Sequence, residues 1–139
     1  MTETVMQRLQ ALDPYSALMI ESVALERLRQ IESEGWTPDH DDRHDKGEMA
    51  AAASCYAANA CLAACAPETV FKRGDIPPAA WMWAREWWKP NTAQHDLKRA
   101  GALIIAEAAR RMRRSSTEAF SERMDAAKTR SGTMATSRA

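Results

Sequence analysis

The stretch TAQHDLKRAGALIIAEAARRMRR, residues 92 to 114, decides the fold class. Leu97, Ala100, Gly101, Ile104 and Ala108 recur at the three-to-four spacing of one helix face, over a length that no strand reaches. Gly101 sits inside that pattern although Gly costs about 1 kcal/mol relative to Ala in a helix interior, a cost that a close crossing by another helix would explain. Working outward, YSALMIESVALERLRQIES, residues 15 to 33, repeats the pattern with Ile20, Ala24, Leu28 and Ile31, flanked by Leu18 and Leu25. Asp13-Pro14 supplies its cap and first turn, and Gly35, followed by Pro38, its end. Between the two lies EMAAAASCYAANACLAACA, where Ala favours a helix from about Gly47 to Cys65 and small side chains permit close packing. Pro67 closes that helix, and residues 66 to 79 form a loop with Gly74, Pro77 and Pro78 as breakers.

No stretch alternates at period two over a useful length. The expected fold is therefore all-α: a small bundle of three main helices plus a short Trp-rich helical segment, AWMWAREWWKP, with one further short helix allowed before residue 13. Residues 1 to 114 form the helical domain. Residues 115 to 139, rich in Ser, Thr, Ala and Arg, form a mobile, basic and at most marginally helical tail. At 139 residues the chain can bury one core without disulfides or a structural metal. Its apolar runs fall far short of the ~20 residues of a membrane span, and its first 30 residues do not resemble a signal peptide, so a cytoplasmic location is expected. Cys55, Cys61 and Cys65 match no zinc spacing and read as reduced thiols. The formal net charge is zero, with an acidic front and a basic end. That balance argues against DNA as the partner, and the run Arg110, Arg111, Arg113, Arg114 suits a helix C-terminus without one.

The chemistry concentrates in EGWTPDHDDRHDKGE, residues 34 to 48. Asp45 and Glu48 lie one turn apart at a helix entry and, joined by Asp96 or Glu107 from the last helix, offer oxygen ligands for Mg²⁺ or Mn²⁺. Asp45 as an N-cap, with the other acids near the helix dipole, accounts for the same residues without a metal. In the catalytic reading Asp45, Glu48 and Asp96 hold the metal, and His44 beside Glu48 assists or orients water. Trp36, Trp87 or Trp88 then stacks a base, Lys98 or Arg99 meets phosphate, and Asp41 and Asp42 complete the ligand contacts. Trp81, Trp83, Trp87 and Trp88 are also natural core residues, since each buries a large apolar area, and Arg85 and Lys89 between them suit a phosphate or simply the wet face.

The order ALERLRQI, EGWTPDHDDRH, GEMAAAASCYA, WWKP, DLKRAGALIIAEAARR, spanning about residues 18 to 113, resembles a family of small proteins carried by phages and prophages. That resemblance implies an origin, with the host cytoplasm as the place of action, more than a mechanism. GEMAAAA with an acid upstream, and a later acid-bearing helix, is similar to the all-α MazG-like nucleotide pyrophosphohydrolases, whose Mg²⁺ sits on Glu-x-x-Glu and Glu-x-x-Asp pairs. Here the first pair is Asp45-Lys-Gly-Glu48, and Arg99 stands where a second acid would follow Asp96. Ile31 to Asp42 is similar to ryanodine-receptor-type repeats, for which a nucleotide ligand has been proposed; Gly35, Trp36, Asp41 and Asp42 match, and the downstream Lys-x-His-Pro is missing.

Two functions follow as expectations. One is a nucleotide-like ligand bound or hydrolysed, as by a divalent-metal (d)NTP pyrophosphohydrolase. The other is non-enzymatic inhibition of a host defence or housekeeping protein through the acidic loop and the Trp cluster. The Ala-rich second helix also suits a homodimer.

Overall fold

The computed structural model describes residues 2–65 and 76–136. Among the described residues there are five α-helices and no strand: α1 Val5–Leu9, α2 Pro14–Glu34, α3 Pro38–Asp42, α4 Glu48–Cys65 and α5 Ala93–Thr136, with a 3₁₀ turn at Arg85–Trp87. The all-α bundle with three main helices is the observed architecture. Most of the loop expected over residues 66 to 79, including Pro67 and Gly74, lies outside the described residues. No helix among the described residues is long and apolar enough to cross a membrane.

Local chemistry sets the ends of α2. Asp13 Oδ1 accepts the backbone N–H groups of Tyr15 and Ser16, both at 3.0 Å, and Pro14 occupies the first turn. Gly35 ends the helix in the left-handed region at φ 74°, and the Trp36 N–H folds back on the Gln30 carbonyl at 3.0 Å. A side chain at Gly35 would strain this turn, which is why Gly stands there.

The segment after Gly35 departs from a plain connector. Thr37 caps α3 by accepting the His40 N–H, Pro38 opens it, and the helix closes after Asp42. Asp45 is exposed and does not cap α4. Gly47 precedes that helix at φ 81°, its carbonyl accepts the Ala51 N–H, and the Glu48 carboxylate takes the Lys46 N–H at 2.6 Å. The Glu48 carboxylate, on the first residue of the helix, reaches back to the Lys46 N–H, and the Asp45 side chain expected as the N-cap takes no backbone N–H.

The chain forms two compact units, Met1–Glu107 and Ala108–Ala139. In the first, Met49, Ala52, Ala53, Cys55 and Tyr56 of α4 pack with Trp88 and with Ala100, Leu103 and Ala106 of α5, and Trp36, Trp81 and Trp83 lie against this core. The Trp-rich segment is helical over the single 3₁₀ turn Arg85–Trp87 and non-helical on either side, and its indoles pack on α4 and on one another. The second unit is helical through Thr136, where a tail was expected from residue 115. Strong helix formers without Pro, an Arg114–Glu118 pair at 3.0 Å, and Thr117 and Thr129 hydroxyls donating to carbonyls four residues back suit that helix.

The faces of the helices are the main correction. On α2 the expected core residues Leu18, Ile20, Leu25 and Leu28 are 46 to 59% exposed, whereas Glu26 and Gln30 are buried at 3% and 0%. On α5, Leu97 and Ile104 are exposed and Asp96, Ala102, Leu103, Ala106 and Glu107 are buried. Gly101 meets α2 as its sequence context suggests: a Cβ built there would lie 2.9 Å from Val23 Cγ2. The bundle turns the polar stripe of α2 inward, and that stripe is where the cavity lies.

Candidate ligand-binding site

A cavity of about 330 Å³ opens within the first unit. α2 contributes Arg27, Arg29, Gln30 and Glu34; the turn and α3 contribute Trp36, His40 and Asp41, followed by His44; α4 contributes Met49 and Tyr56; the Trp segment contributes Trp81, Trp83, Trp87 and Lys89; α5 contributes Arg99 and Leu103.

One wall is aromatic. Trp36 stacks near-parallel on His40 (6.4 Å between centroids, 6° between planes), His40 meets His44 at 4.9 Å, and His44 meets the edge of Trp83 at 5.4 Å. Trp83 continues to Trp81 at 5.5 Å, and Trp81 to Tyr56 at 5.8 Å. His40 lies on the single turn of α3, and Trp36 just before that helix and His44 just after it flank the His40 ring on either side. The Trp81 indole N–H donates to the Ala84 carbonyl at 3.1 Å, which holds the extended segment in place.

The charges divide into two sets. Arg27 donates to the buried Asp41 and to the Trp36 carbonyl, so it fastens α3 to α2. Arg29 is held between Glu26 at 2.8 Å and Glu34 at 3.0 Å, which keeps its guanidinium pKa above the usual value. Burial pushes the Glu26 carboxyl up, but the Arg29 hydrogen bonds and the charges of Arg29, Arg99 and Lys98 outweigh it, and its pKa ends below the ordinary range. Arg99 and Lys89 differ: among the described residues neither forms an ion pair. Arg99 donates to the Tyr56 hydroxyl at 3.2 Å and lies 5.0 Å over the Tyr56 ring, while Lys89 Nζ stands 5.9 Å from the Trp87 ring. Both line the cavity as cations outside any salt bridge among the described residues, with Glu26 near enough to Arg99 to feel its charge.

His44 and Glu48 form the one close His–carboxylate contact of the site, with Nδ1 and Oε2 2.9 Å apart. Burial raises the Glu48 pKa, but the hydrogen bonds from His44 and the Lys46 N–H bring it below the ordinary value. Glu48 therefore stays ionised and fixes the His44 ring, leaving Nε2 as the nitrogen available for a proton.

Of the residues singled out from the sequence, Trp36, Asp41, His44, Trp87 and Arg99 line the cavity, and Glu48 backs His44. Asp42 and Asp45 are exposed away from it, Trp88 lies in the core, and Lys98 is not part of the lining. Asp45, Glu48 and Asp96 are not brought together. Asp96 is fully buried, with its oxygens on Asn59 Nδ2 at 2.9 Å and on the Asn91 N–H at 2.8 Å, so it pins α4 and the start of α5. Among the described residues no group of three or more His, Cys, Asp or Glu side chains can hold a metal ion. The residues present do not fit the Mg²⁺ or Mn²⁺ site expected from the sequence.

Arg27, Arg29, Gln30 and Tyr56 escaped the sequence reading. Their signal was the stripe Arg27, Gln30, Glu34 at helical spacing, masked by the broader apolar face on the opposite side of α2. Several buried polar atoms have no hydrogen-bond partner: both amide atoms of Gln30, the Trp83 indole nitrogen and His40 Nδ1, all of residues lining the cavity. Comparison with protein-family models, curated proteins and solved structures returned no match.

Proposed function

We propose that the protein binds a nucleotide-like ligand, an aromatic base carrying an anionic group, in this cavity, and does so without a divalent metal. The observation that carries the reading is the pairing of a continuous aromatic wall with Arg99 and Lys89, two cations that line the cavity and, among the described residues, form no salt bridge. Aromatic faces stack bases, and unneutralised cations in a partly enclosed site draw phosphate. A volume of about 330 Å³ suits a mononucleotide rather than a polymer. In a hydrolytic version His44 Nε2 takes a proton from the water that attacks the α-phosphorus, the bridging P–O bond breaks, pyrophosphate leaves with the bonding pair, and Glu48 steadies the imidazolium until it returns the proton to solvent.

The test is a thermal-shift and calorimetric titration of the whole chain against (d)NTPs, NMPs and ribose 5-phosphate in EDTA, with product analysis for hydrolysis. Saturable stabilisation in EDTA is the expected result, weakened at least tenfold by Arg99→Ala. Absence of binding to every nucleotide at millimolar concentration, with the protein folded, overturns the proposal. Inhibition of a host protein would draw on the exposed Asp42, outside the cavity, and on the half-exposed Trp87 at its edge. A partner captured through those two side chains, alongside a nucleotide-blind cavity, would favour that second function.

A further inference from the structure

Gln30 is the least explained side chain of the site. It is fully buried on the inward face of α2, lines the cavity, and among the described residues neither its amide nitrogen nor its amide oxygen meets a partner. Buried amides are ordinarily paired on both atoms, because leaving them bare forfeits the hydrogen bonds water would have made. Its neighbours are committed elsewhere: Arg27 to Asp41, and Arg29 to Glu26 and Glu34. The amide can therefore turn about its last torsion without breaking any hydrogen bond. A carboxamide presents one donor and one acceptor side by side, and its complement is a flat ring edge with an adjacent acceptor and donor. An adenine edge, N7 beside the 6-amino group, pairs with Gln in that bidentate way.

We infer that Gln30 reads the edge of a 6-aminopurine, making this a site for an adenine mononucleotide. The inference rests on the cavity being the nucleotide site. The ring stacks on the Trp36–Trp83 wall, its edge meets Gln30, and its phosphate meets Arg99 or Lys89. Substituting an apolar side chain of similar size at position 30 removes an unpaired amide from the unliganded protein, so Gln30→Leu costs no folding stability while losing the base contact. Gln30→Glu replaces the donor with a second acceptor and favours guanine, whose N1–H and 2-amino group are both donors.

AMP, GMP, purine riboside 5′-monophosphate (which lacks the 6-amino group) and ribose 5-phosphate are titrated calorimetrically into wild type, Gln30→Leu and Gln30→Glu, all in EDTA. Three results are expected. Wild type prefers AMP at least tenfold over the other nucleotides. Gln30→Leu loses that preference while its affinity for ribose 5-phosphate and its melting temperature do not fall. Gln30→Glu shifts the ratio toward GMP. Equal AMP affinity in wild type and Gln30→Leu, or a wild-type preference for GMP, overturns the role of Gln30 and leaves the binding site standing. Failure of all four probes to bind wild type overturns both. If Gln30→Leu does not fold, Gln30→Met is read the same way.

Discussion

The crossing of α2 and α5 at Gly101 allows a quantitative prediction. A methyl group added at Gly101 would stand 2.9 Å from Val23 Cγ2 and 3.2 Å from Cγ1, well inside the ~3.5–4.0 Å at which carbon atoms attract. Val23 is β-branched, so it cannot swing away on a free χ1 as Met or Leu would. Overpacking of this kind costs ~1–3 kcal/mol. Against it, Ala at a helix interior gains about 1 kcal/mol over Gly. Gly101→Ala should therefore lower stability by ~0–2 kcal/mol, with a central value near 1 kcal/mol, a fall in Tm of roughly 4 °C for a chain of this size. In a Val23→Ala background the obstructing methyls are gone, and the same substitution should stabilise by about 1 kcal/mol. Urea unfolding of the four proteins gives the cycle, and the expected coupling is ~1–3 kcal/mol. A Gly101→Ala protein more stable than its parent, or a coupling below ~0.5 kcal/mol, would refute the close crossing.

Two further outcomes bear on the scaffold of the site. Asp41→Ala strips the partner from Arg27, whose side chain is 12% exposed, and should cost ~3–5 kcal/mol in urea unfolding; a loss under ~1 kcal/mol would mean the pair is not what fastens α3 to α2. His95 has its pKa lowered by burial and then by the positive charges of Arg99 and Lys98, partly opposed by Glu26 and Asp96. The folded state thus holds off a proton that the unfolded chain accepts, so the contribution of His95 is present above pH ~6.5 and lost as the pH falls through that value. Melting temperature measured from pH 7.5 to 5 should decline in wild type and decline less in His95→Gln; identical slopes would refute it. Nothing in this window comes from Glu26 or Glu48, whose pKa values are lowered and whose contributions fade only in more acidic solution.

The ends of the helices were legible because they are made by neighbours in the chain. Asp13-Pro14, Gly35 and the Ala run of α4 act within one turn, through a cap, a left-handed turn and backbone propensity. All-α architecture, and the reading of Gly101 as a crossing point, follow from the same short-range logic. The N-cap expected at Asp45 failed for an equally local reason: the helix starts only at Glu48, after Gly47 at φ 81°, so Asp45 stands too far upstream to reach its first N–H groups.

What only the tertiary structure decided is which side of each helix faces in. On α2 the sequence offers two faces, Leu18, Leu25 and Leu28 on one, Glu26, Arg27 and Gln30 on the other, and area arguments favour burying the first. The bundle buries the second, where Arg27 finds Asp41 and the Trp segment lines the same cavity. Asp96 likewise reads as a metal ligand until Asn59 and the Asn91 N–H, which only folding brings to it, take its two oxygens. Composition and spacing determine where a helix starts and stops; whether its polar stripe meets water or a cavity depends on side chains far away in sequence, whose pairing energy no local pattern records.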